Sequence, residues 1–95
     1  MSINFNSTRC CYCERLFNKK LKRTKEHIIP KSKGGKNNLR NLIYVCFECN
    51  SFRGNKDYAE LKEFINNILN NNKSIKINTY SYNRIDLIKI LENLK

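Results

Sequence analysis

The chain has 95 residues, of which 40% are hydrophobic, and it contains no tryptophan. So short a chain has room for one modest hydrophobic core, which predicts a single domain over residues 1–95 and argues against two independent ones. The 19 Lys and Arg residues against 8 Asp and Glu give a formal net charge of +11, which favours a polyanionic partner over a neutral one.

Hydropathy and cysteine usage indicate the environment. No apolar run approaches the roughly 20 residues needed to cross a bilayer, and the first residues lack the apolar core of a signal peptide. We therefore expect a soluble, intracellular protein, cytoplasmic or nuclear, with no membrane partner. The five cysteines cluster in close pairs, which fits metal ligation in a reducing compartment better than a disulfide framework.

The first half of the chain predicts a strand, a loop, a second strand and a helix. After a tight, cysteine-bearing turn over 10–18, residues 24–29 have a strand pattern that Pro30 ends. Gly34 and Gly35 allow the chain to reverse in a loop over 31–38. The β-rich segment Leu42–Cys46 can pair antiparallel with the first strand, and Phe47–Arg53 suits a short helix that Gly54 ends.

The second half predicts helices with a short strand between them. Asp57 can cap a helix whose apolar residues recur at three- and four-residue steps, namely Tyr58, Leu61, Phe64, Ile65, Ile68 and Leu69. Residues 75–80 alternate apolar and polar side chains, as a strand does. A final amphipathic helix is indicated by Ile85, Ile88, Leu91 and Leu94. The predicted fold class is therefore α+β, with a core over 10–56 and C-terminal helices with a possible strand over 57–95.

Two Cys-x-x-Cys pairs predict a metal site. Cys10 and Cys13 form the first pair, and Cys46 and Cys49 form the second. Each pair can offer two sulfurs to one tetrahedral Zn²⁺ ion at about 2.3 Å per bond, and four thiolates leave no open position, so the zinc would be structural. Cys11 is an alternative to Cys10, although the spacing favours Cys10. Buried cysteines without a metal are the other reading.

A longer pattern spans the two cysteine pairs. It runs Glu26-His27-Ile28-Ile29-Pro30-Lys31-Ser32-Lys33-Gly34-Gly35, then Asn41-Leu42, then Cys46-Phe47-Glu48-Cys49-Asn50. In order, spacing and residue type it resembles the signature of HNH endonucleases, over about residues 10–56. The resemblance implies the ββα-metal, or His-Me finger, fold, in which two strands and a helix surround a catalytic cation. The order of elements predicted from the residues alone agrees with that fold.

The resemblance also implies roles for individual residues. His27 would be the general base that takes a proton from the attacking water. Glu26, where the family most often has Asp, and Asn50 would bind a catalytic Mg²⁺ or Mn²⁺ ion. Asn41 would hold the loop that orients His27, although a plain turn residue is the alternative reading. Arg53, where the family usually has Lys or Arg, would contact a phosphate.

Basic residues around this pattern predict contacts with nucleic acid. The candidates are Lys22, Arg23, Lys25, Lys31, Lys33, Lys36, Arg40 and Lys56. We therefore expect a metal-dependent DNA endonuclease or nickase, monomeric or homodimeric, with RNA as an open alternative substrate. Two further alternatives are a non-catalytic zinc module that binds nucleic acid and a zinc domain that binds protein. A lysine-rich surface that only aids solubility would fit the charge as well.

Overall fold

Two antiparallel strands and a short helix form the centre of the structure, a computed structural model that describes residues 8–72, 75–77 and 80–94. Strand β1, Arg23–His27, pairs with β2, Leu42–Cys46, with Arg23 opposite Cys46 and His27 opposite Leu42. Helix α1, Phe47–Arg53, follows β2 without a break. This is the α+β arrangement and the order of two strands and a helix that the sequence predicted.

The loop between β1 and β2 begins two residues earlier than the sequence predicted. β1 was predicted to continue to residue 29, but it ends at His27. The reason is that the N–H of Ile29 donates to the side chain of Asn41, at 2.8 Å, and not to a neighbouring strand. The loop contains two 3-10 turns, Lys31–Lys33 and Leu39–Asn41.

Helix α2, Tyr58–Asn70, begins at the predicted cap. The Asp57 carboxylate accepts from the N–H of Glu60 at 2.8 Å, and the Glu60 carboxylate accepts from the N–H of Asp57 at 2.9 Å. This reciprocal pair satisfies donors that the first helical turn would leave unpaired. The helix buries Leu61, Ile65 and Leu69.

The C-terminal part contains a short hairpin and a third helix. Strand β3, Ile75–Ile77, pairs antiparallel with β4, Tyr80–Tyr82, with Ile75 opposite Tyr82. The sequence predicted one strand over 75–80; residues 78 and 79 of that prediction lie outside the described residues. Helix α3, Arg84–Asn93, begins at Asn83, which forms a second capping box with Asp86.

The buried face of α3 agrees with the predicted one only in part, because Leu91 packs on the core. The described helix and its C-cap bury Leu87, Ile90 and Leu94, whereas Ile85 and Ile88 are 65% and 38% exposed. Apolar residues occupy more than one face of this helix, so their spacing alone does not define its rotation. An ion pair between Asp86 and Arg15, 2.9 Å apart, also anchors the start of the helix.

Residues from both halves of the chain share one hydrophobic cluster. Its buried members include Tyr12, Val45 and Phe52 from the first half, and Ile65 and Ile90 from the second. The cysteines of both pairs belong to the same cluster. None of the described helices is long and apolar enough to cross a membrane.

Candidate functional site

The four paired cysteines converge on one point in the core. The sulfur atoms of Cys10, Cys13, Cys46 and Cys49 all lie within 4.8 Å of one another, and each residue is at most 1% exposed. The Cys13 and Cys46 sulfurs are 3.9 Å apart. A tetrahedral ion with four bonds of about 2.3 Å holds its sulfurs about 3.8 Å apart. The cluster is thus positioned to hold a metal ion such as zinc.

Backbone N–H groups donate to two of these sulfurs. The N–H groups of Tyr12 and Cys13 lie 3.4 Å from the Cys10 sulfur, and the N–H of Cys49 lies 3.3 Å from the Cys46 sulfur. Such donors favour the thiolate form that a metal requires. Cys11 lies outside the cluster. The residue that joins Cys13 in the first pair is therefore Cys10 and not Cys11.

The cluster needs a cation to hold four thiolates. Burial, together with hydrogen bonds from the other three cysteines, raises the pKa of the Cys49 thiol well above its ordinary value. Four buried thiolates would also repel one another strongly in the absence of a positive ion. A divalent ion held by the cluster would balance part of this negative charge.

The His27 ring is held by a residue that the sequence analysis did not identify. Its Nε2 lies 2.6 Å from the Oδ1 of Asn37, which is in the loop between β1 and β2. Because an amide oxygen only accepts hydrogen bonds, Nε2 must carry the hydrogen, and Nδ1 then has the lone pair of the neutral ring. The one available signal was the presence of Asn37 just after the Gly34-Gly35 pair.

Asn41 closes the loop around His27. Its side-chain oxygen accepts from the N–H of Ile29 at 2.8 Å, and its Nδ2 donates to the carbonyls of Ile29 and Lys36 at 3.1 and 2.8 Å. Its backbone carbonyl accepts from the N–H of Ile28 at 2.8 Å. The buried amide thus joins both ends of the loop, which is the geometry that a loop-holding residue requires.

Arg53 does not present its charge to solvent, contrary to the expectation that it contacts a phosphate. The residue is 0% exposed. Its guanidinium donates to the backbone carbonyls of His27 and Ile28, both at 2.6 Å, and to the Tyr12 hydroxyl at 2.9 Å. A buried guanidinium with these partners is not accessible to a substrate phosphate. Its place in the structure is to hold the backbone at His27.

Glu26 lies against Arg53. Its Oε2 is 3.4 Å from the Arg53 Nη1, is fully buried and makes no hydrogen bond within the described residues. Burial raises the pKa of Glu26, and the charge of Arg53 opposes that rise. Successive strand residues point to opposite faces, and here Glu26 turns inward while the His27 ring reaches the loop. An unsatisfied buried carboxylate oxygen is a suitable ligand for a hard cation.

Asn50 reaches from α1 to β1, where it contacts the two residues that precede Glu26 in sequence. Its Nδ2 donates to the Thr24 hydroxyl at 3.1 Å and to the Lys25 carbonyl at 3.3 Å. These contacts engage the amide nitrogen and leave the amide oxygen as the atom with which Asn50 could bind a cation. Among the residues described, only the cysteines bring three or more His, Cys, Asp or Glu ligand atoms together. A cation at Glu26 and Asn50 would therefore take its other ligands from water and phosphate.

Comparison with known proteins identifies the family. A family model described as HNH endonuclease matches residues 10–66, well over half of the chain. The chain belongs to the HNH endonuclease family. Comparison with curated proteins and with solved structures found no match. The HNH match covers both cysteine pairs, β1, β2 and α1, and it ends inside α2, so the hairpin of β3 and β4 and helix α3 lie outside it.

Most of the predicted nucleic-acid contacts lie on the surface of this HNH domain. Seven are exposed: Lys22, Arg23, Lys25, Lys31, Lys33, Lys36 and Arg40. Lys33 is already paired with Glu60 at 2.5 Å, and this bond raises the pKa of Lys33 and lowers that of Glu60. Lys56 is only half exposed, because its amine lies over the Phe64 ring, 4.5 Å from its centre.

Proposed function

We propose that the protein is a metal-dependent DNA endonuclease or nickase in which His27 is the general base. The observation that carries the proposal is the support of His27 from two sides, within a member of the HNH family. Asn37 holds the ring at Nε2, and Arg53 holds the backbone carbonyl. A histidine fixed in this way has one ring nitrogen, Nδ1, ready to accept a proton.

Hydrolysis of a phosphodiester needs an activated water and a stabilised developing negative charge. In the proposed reaction, Nδ1 of His27 takes a proton from a water that attacks the phosphorus atom, and the bond to the leaving 3′ oxygen breaks. Asn37 and Asn41 keep the ring and its loop in place during this step. They are positioning residues, since neither touches the reacting atoms.

Glu26 and Asn50 would hold the divalent cation. Mg²⁺ or Mn²⁺ bound there supplies positive charge to the phosphate oxygens. The donor set fits a hard ion, because a carboxylate and an amide oxygen are both hard ligands. The Oε2 of Glu26 supports this assignment, because it makes no hydrogen bond within the described residues and so keeps its lone pairs for a cation.

The four-cysteine cluster would hold zinc in a structural role. Four thiolates complete a tetrahedral shell and leave no position for water or substrate. The cluster lies between the first cysteine turn and the start of α1. Zinc would therefore fix the position of α1, and with it Asn50 and Arg53, against β1.

Supercoiled plasmid tests the proposed activity. Zinc-loaded wild type and His27→Ala are incubated with Mg²⁺, with Mn²⁺ or with EDTA, and a parallel reaction offers single-stranded RNA. We expect metal-dependent nicking or linearisation by the wild type and a loss of at least about 100-fold in His27→Ala, the size expected for a general base. Equal products from both proteins, or none from either, would reject the proposal.

A non-catalytic zinc module that binds nucleic acid is the second candidate. It is favoured by one observation: the Glu26 carboxylate already faces the Arg53 guanidinium, 3.4 Å away. This candidate predicts DNA binding that weakens steeply with salt and does not change in His27→Ala, with no cleavage under any metal. A protein-binding zinc domain predicts no DNA binding even at low salt.

A further inference from the structure

Tyr82 contacts the cysteine cluster from outside the segment that matches the HNH family. It lies in β4, at the end of the C-terminal hairpin, and it is 0% exposed. Its hydroxyl is 3.1 Å from the sulfur of Cys49 and 3.7 Å from the sulfur of Cys46. The nearer of these distances is short for a hydrogen bond to sulfur.

The direction of this contact follows from the state of the sulfurs. A metal-bound thiolate carries no proton, so the hydroxyl must be the donor. A buried tyrosine hydroxyl normally has a hydrogen-bond partner, because leaving it unpaired is costly. Tyr82 therefore gains a partner for its own buried polar atom and brings a donor to two sulfurs of the second cysteine pair.

The ring of Tyr82 is held in a fixed position. It stacks on Phe52 of α1 with 5.8 Å between ring centres and 28° between planes. The Arg15 guanidinium also lies over the Tyr82 ring, 4.9 Å from the ring centre. Arg15 is anchored by Asp86 at 2.9 Å and by the Ser81 carbonyl at 2.8 Å. These contacts hold the ring so that its hydroxyl oxygen faces the cysteine cluster.

The negative charge of a metal site with four thiolates would be stabilised by such a donor. Four thiolates around one divalent ion carry two excess negative charges in a site where every sulfur is buried. Donors outside the ligand shell spread this charge and commonly raise metal affinity by 10- to 100-fold. The backbone N–H groups described above donate to Cys10 and Cys46 but not to Cys49. The nearer contact of Tyr82 is the one to Cys49.

We propose that Tyr82 donates its one hydroxyl hydrogen to the metal-bound thiolate of Cys49, with the Cys46 sulfur as the more distant contact, and thereby slows loss of the metal. The proposal rests on metal occupancy of the cysteine cluster, which is part of the proposed function, but it does not depend on nuclease activity. It assigns the C-terminal hairpin a role in retaining the metal of the HNH core.

The test uses Tyr82→Phe, which removes the hydroxyl and keeps the ring on Phe52 and Arg15. Tyr80→Phe is the matched control, because Tyr80 lies in the same strand and its ring also faces Arg15, at 5.3 Å. The full chain is loaded with Co²⁺ for absorption spectra and with Zn²⁺ for competition with a chromogenic chelator.

A hydrogen bond lowers the energy of the sulfur electrons, so its loss should shift the sulfur-to-Co²⁺ charge-transfer band to longer wavelength. We expect that shift in Tyr82→Phe, and zinc loss about tenfold faster than in the wild type. Tyr80→Phe should match the wild type in both measurements.

An unchanged band in Tyr82→Phe overturns the donor role, whatever the rate of zinc loss. A shifted band with an unchanged rate supports donation and overturns the slowing of metal loss. A wild-type protein that binds neither Zn²⁺ nor Co²⁺ overturns the metal assignment itself and the proposal with it. Absence of plasmid cleavage bears only on the nuclease proposal.

Discussion

At the residue scale, the contact between Asn37 and His27 determines which ring nitrogen carries the hydrogen. His27 is the one histidine in the chain. Its Nε2 faces an oxygen that only accepts, so the neutral ring keeps its hydrogen there. The lone pair on Nδ1 is then available to a water, and the ring cannot easily turn to present the other nitrogen.

We expect Asn37→Ala to lose this control of the tautomer. In ¹⁵N-labelled protein, the Nε2–H form should dominate in the wild type, and the variant should show a mixture of both neutral forms. Plasmid nicking should fall by about tenfold, equivalent to about 1.4 kcal/mol of lost orientation. Asn37→Asp, which keeps an acceptor oxygen, should retain the wild-type tautomer.

The neighbouring Asn38→Ala is the control, because Asn38 is exposed and its side chain does not cap the following turn. It should leave both the ¹⁵N spectrum and the nicking rate unchanged. A wild-type tautomer in Asn37→Ala would show that Asn37 does not select it, even if nicking fell.

Arg53 shows what the local sequence could not predict. Its position in the HNH pattern suggested a phosphate contact, but its partners are carbonyls of residues 27 and 28 and the Tyr12 hydroxyl. These groups come from distant parts of the chain and meet only in the folded state. The loop contacts of Asn41 could be predicted because they depend on its place within one loop, and its part in orienting His27 for catalysis stays a prediction. The contact of Asn37 with His27 could not be predicted, because no sequence pattern linked the two residues.

At the element scale, the loop between β1 and β2 depends on a close approach at Gly35. A Cβ atom built on Gly35 would overlap the carbonyl oxygen of Ile29 and lie 3.0 Å from the Asn41 Nδ2. Gly34 has a left-handed conformation with φ of 92°, but a Cβ there would meet nothing within 4 Å. The loop therefore requires a glycine at position 35 for lack of space, whereas glycine at position 34 only makes its left-handed conformation less costly.

We expect Gly35→Ala to disrupt the loop and Gly34→Ala to be tolerated. The overlap at Gly35 involves backbone and cannot be relieved by turning a side chain, so the cost should be about 3 kcal/mol or more. Gly34→Ala should cost about 1 kcal/mol, the usual cost of a left-handed conformation. Urea unfolding of the zinc-loaded variants measures both. Equal costs would contradict the close approach at Gly35.

Elements with a clear local pattern were predicted well. The predicted bounds of β2 and α1 are those of the structure, and the Asp57 cap of α2 is present. These elements have end signals in the sequence itself, such as Gly54 and the Asp57–Glu60 pair. The buried face of α3 was predicted only in part: Leu91 and Leu94 pack on the core, but the fully buried residues Leu87 and Ile90 were not named by the spacing.

At the scale of the whole molecule, the cysteine cluster and the hydrophobic core are one structure. All four cysteines belong to the same buried cluster as residues of α2, β4 and α3. Metal binding and folding should therefore be linked, since a domain of this size often needs a staple in addition to its core.

We expect removal of zinc to unfold the domain as a unit. After treatment with a strong zinc chelator, the helical circular dichroism signal and the cooperative thermal transition should both be lost, and added zinc should restore them. Removal of Mg²⁺ alone should leave both unchanged, because Glu26 and Asn50 are held by protein contacts. An unaltered transition in zinc-free protein would show that the metal does not support the fold.

The most direct test of the central claim is chemical rescue of His27→Gly. Nicking of supercoiled plasmid by this zinc-loaded variant is measured with Mg²⁺, with and without added imidazole, beside the wild type. If His27 is the base, the variant should be nearly inactive alone, and imidazole should restore part of the activity while leaving the wild type unchanged. Nicking by His27→Gly at the wild-type rate without imidazole would contradict the account.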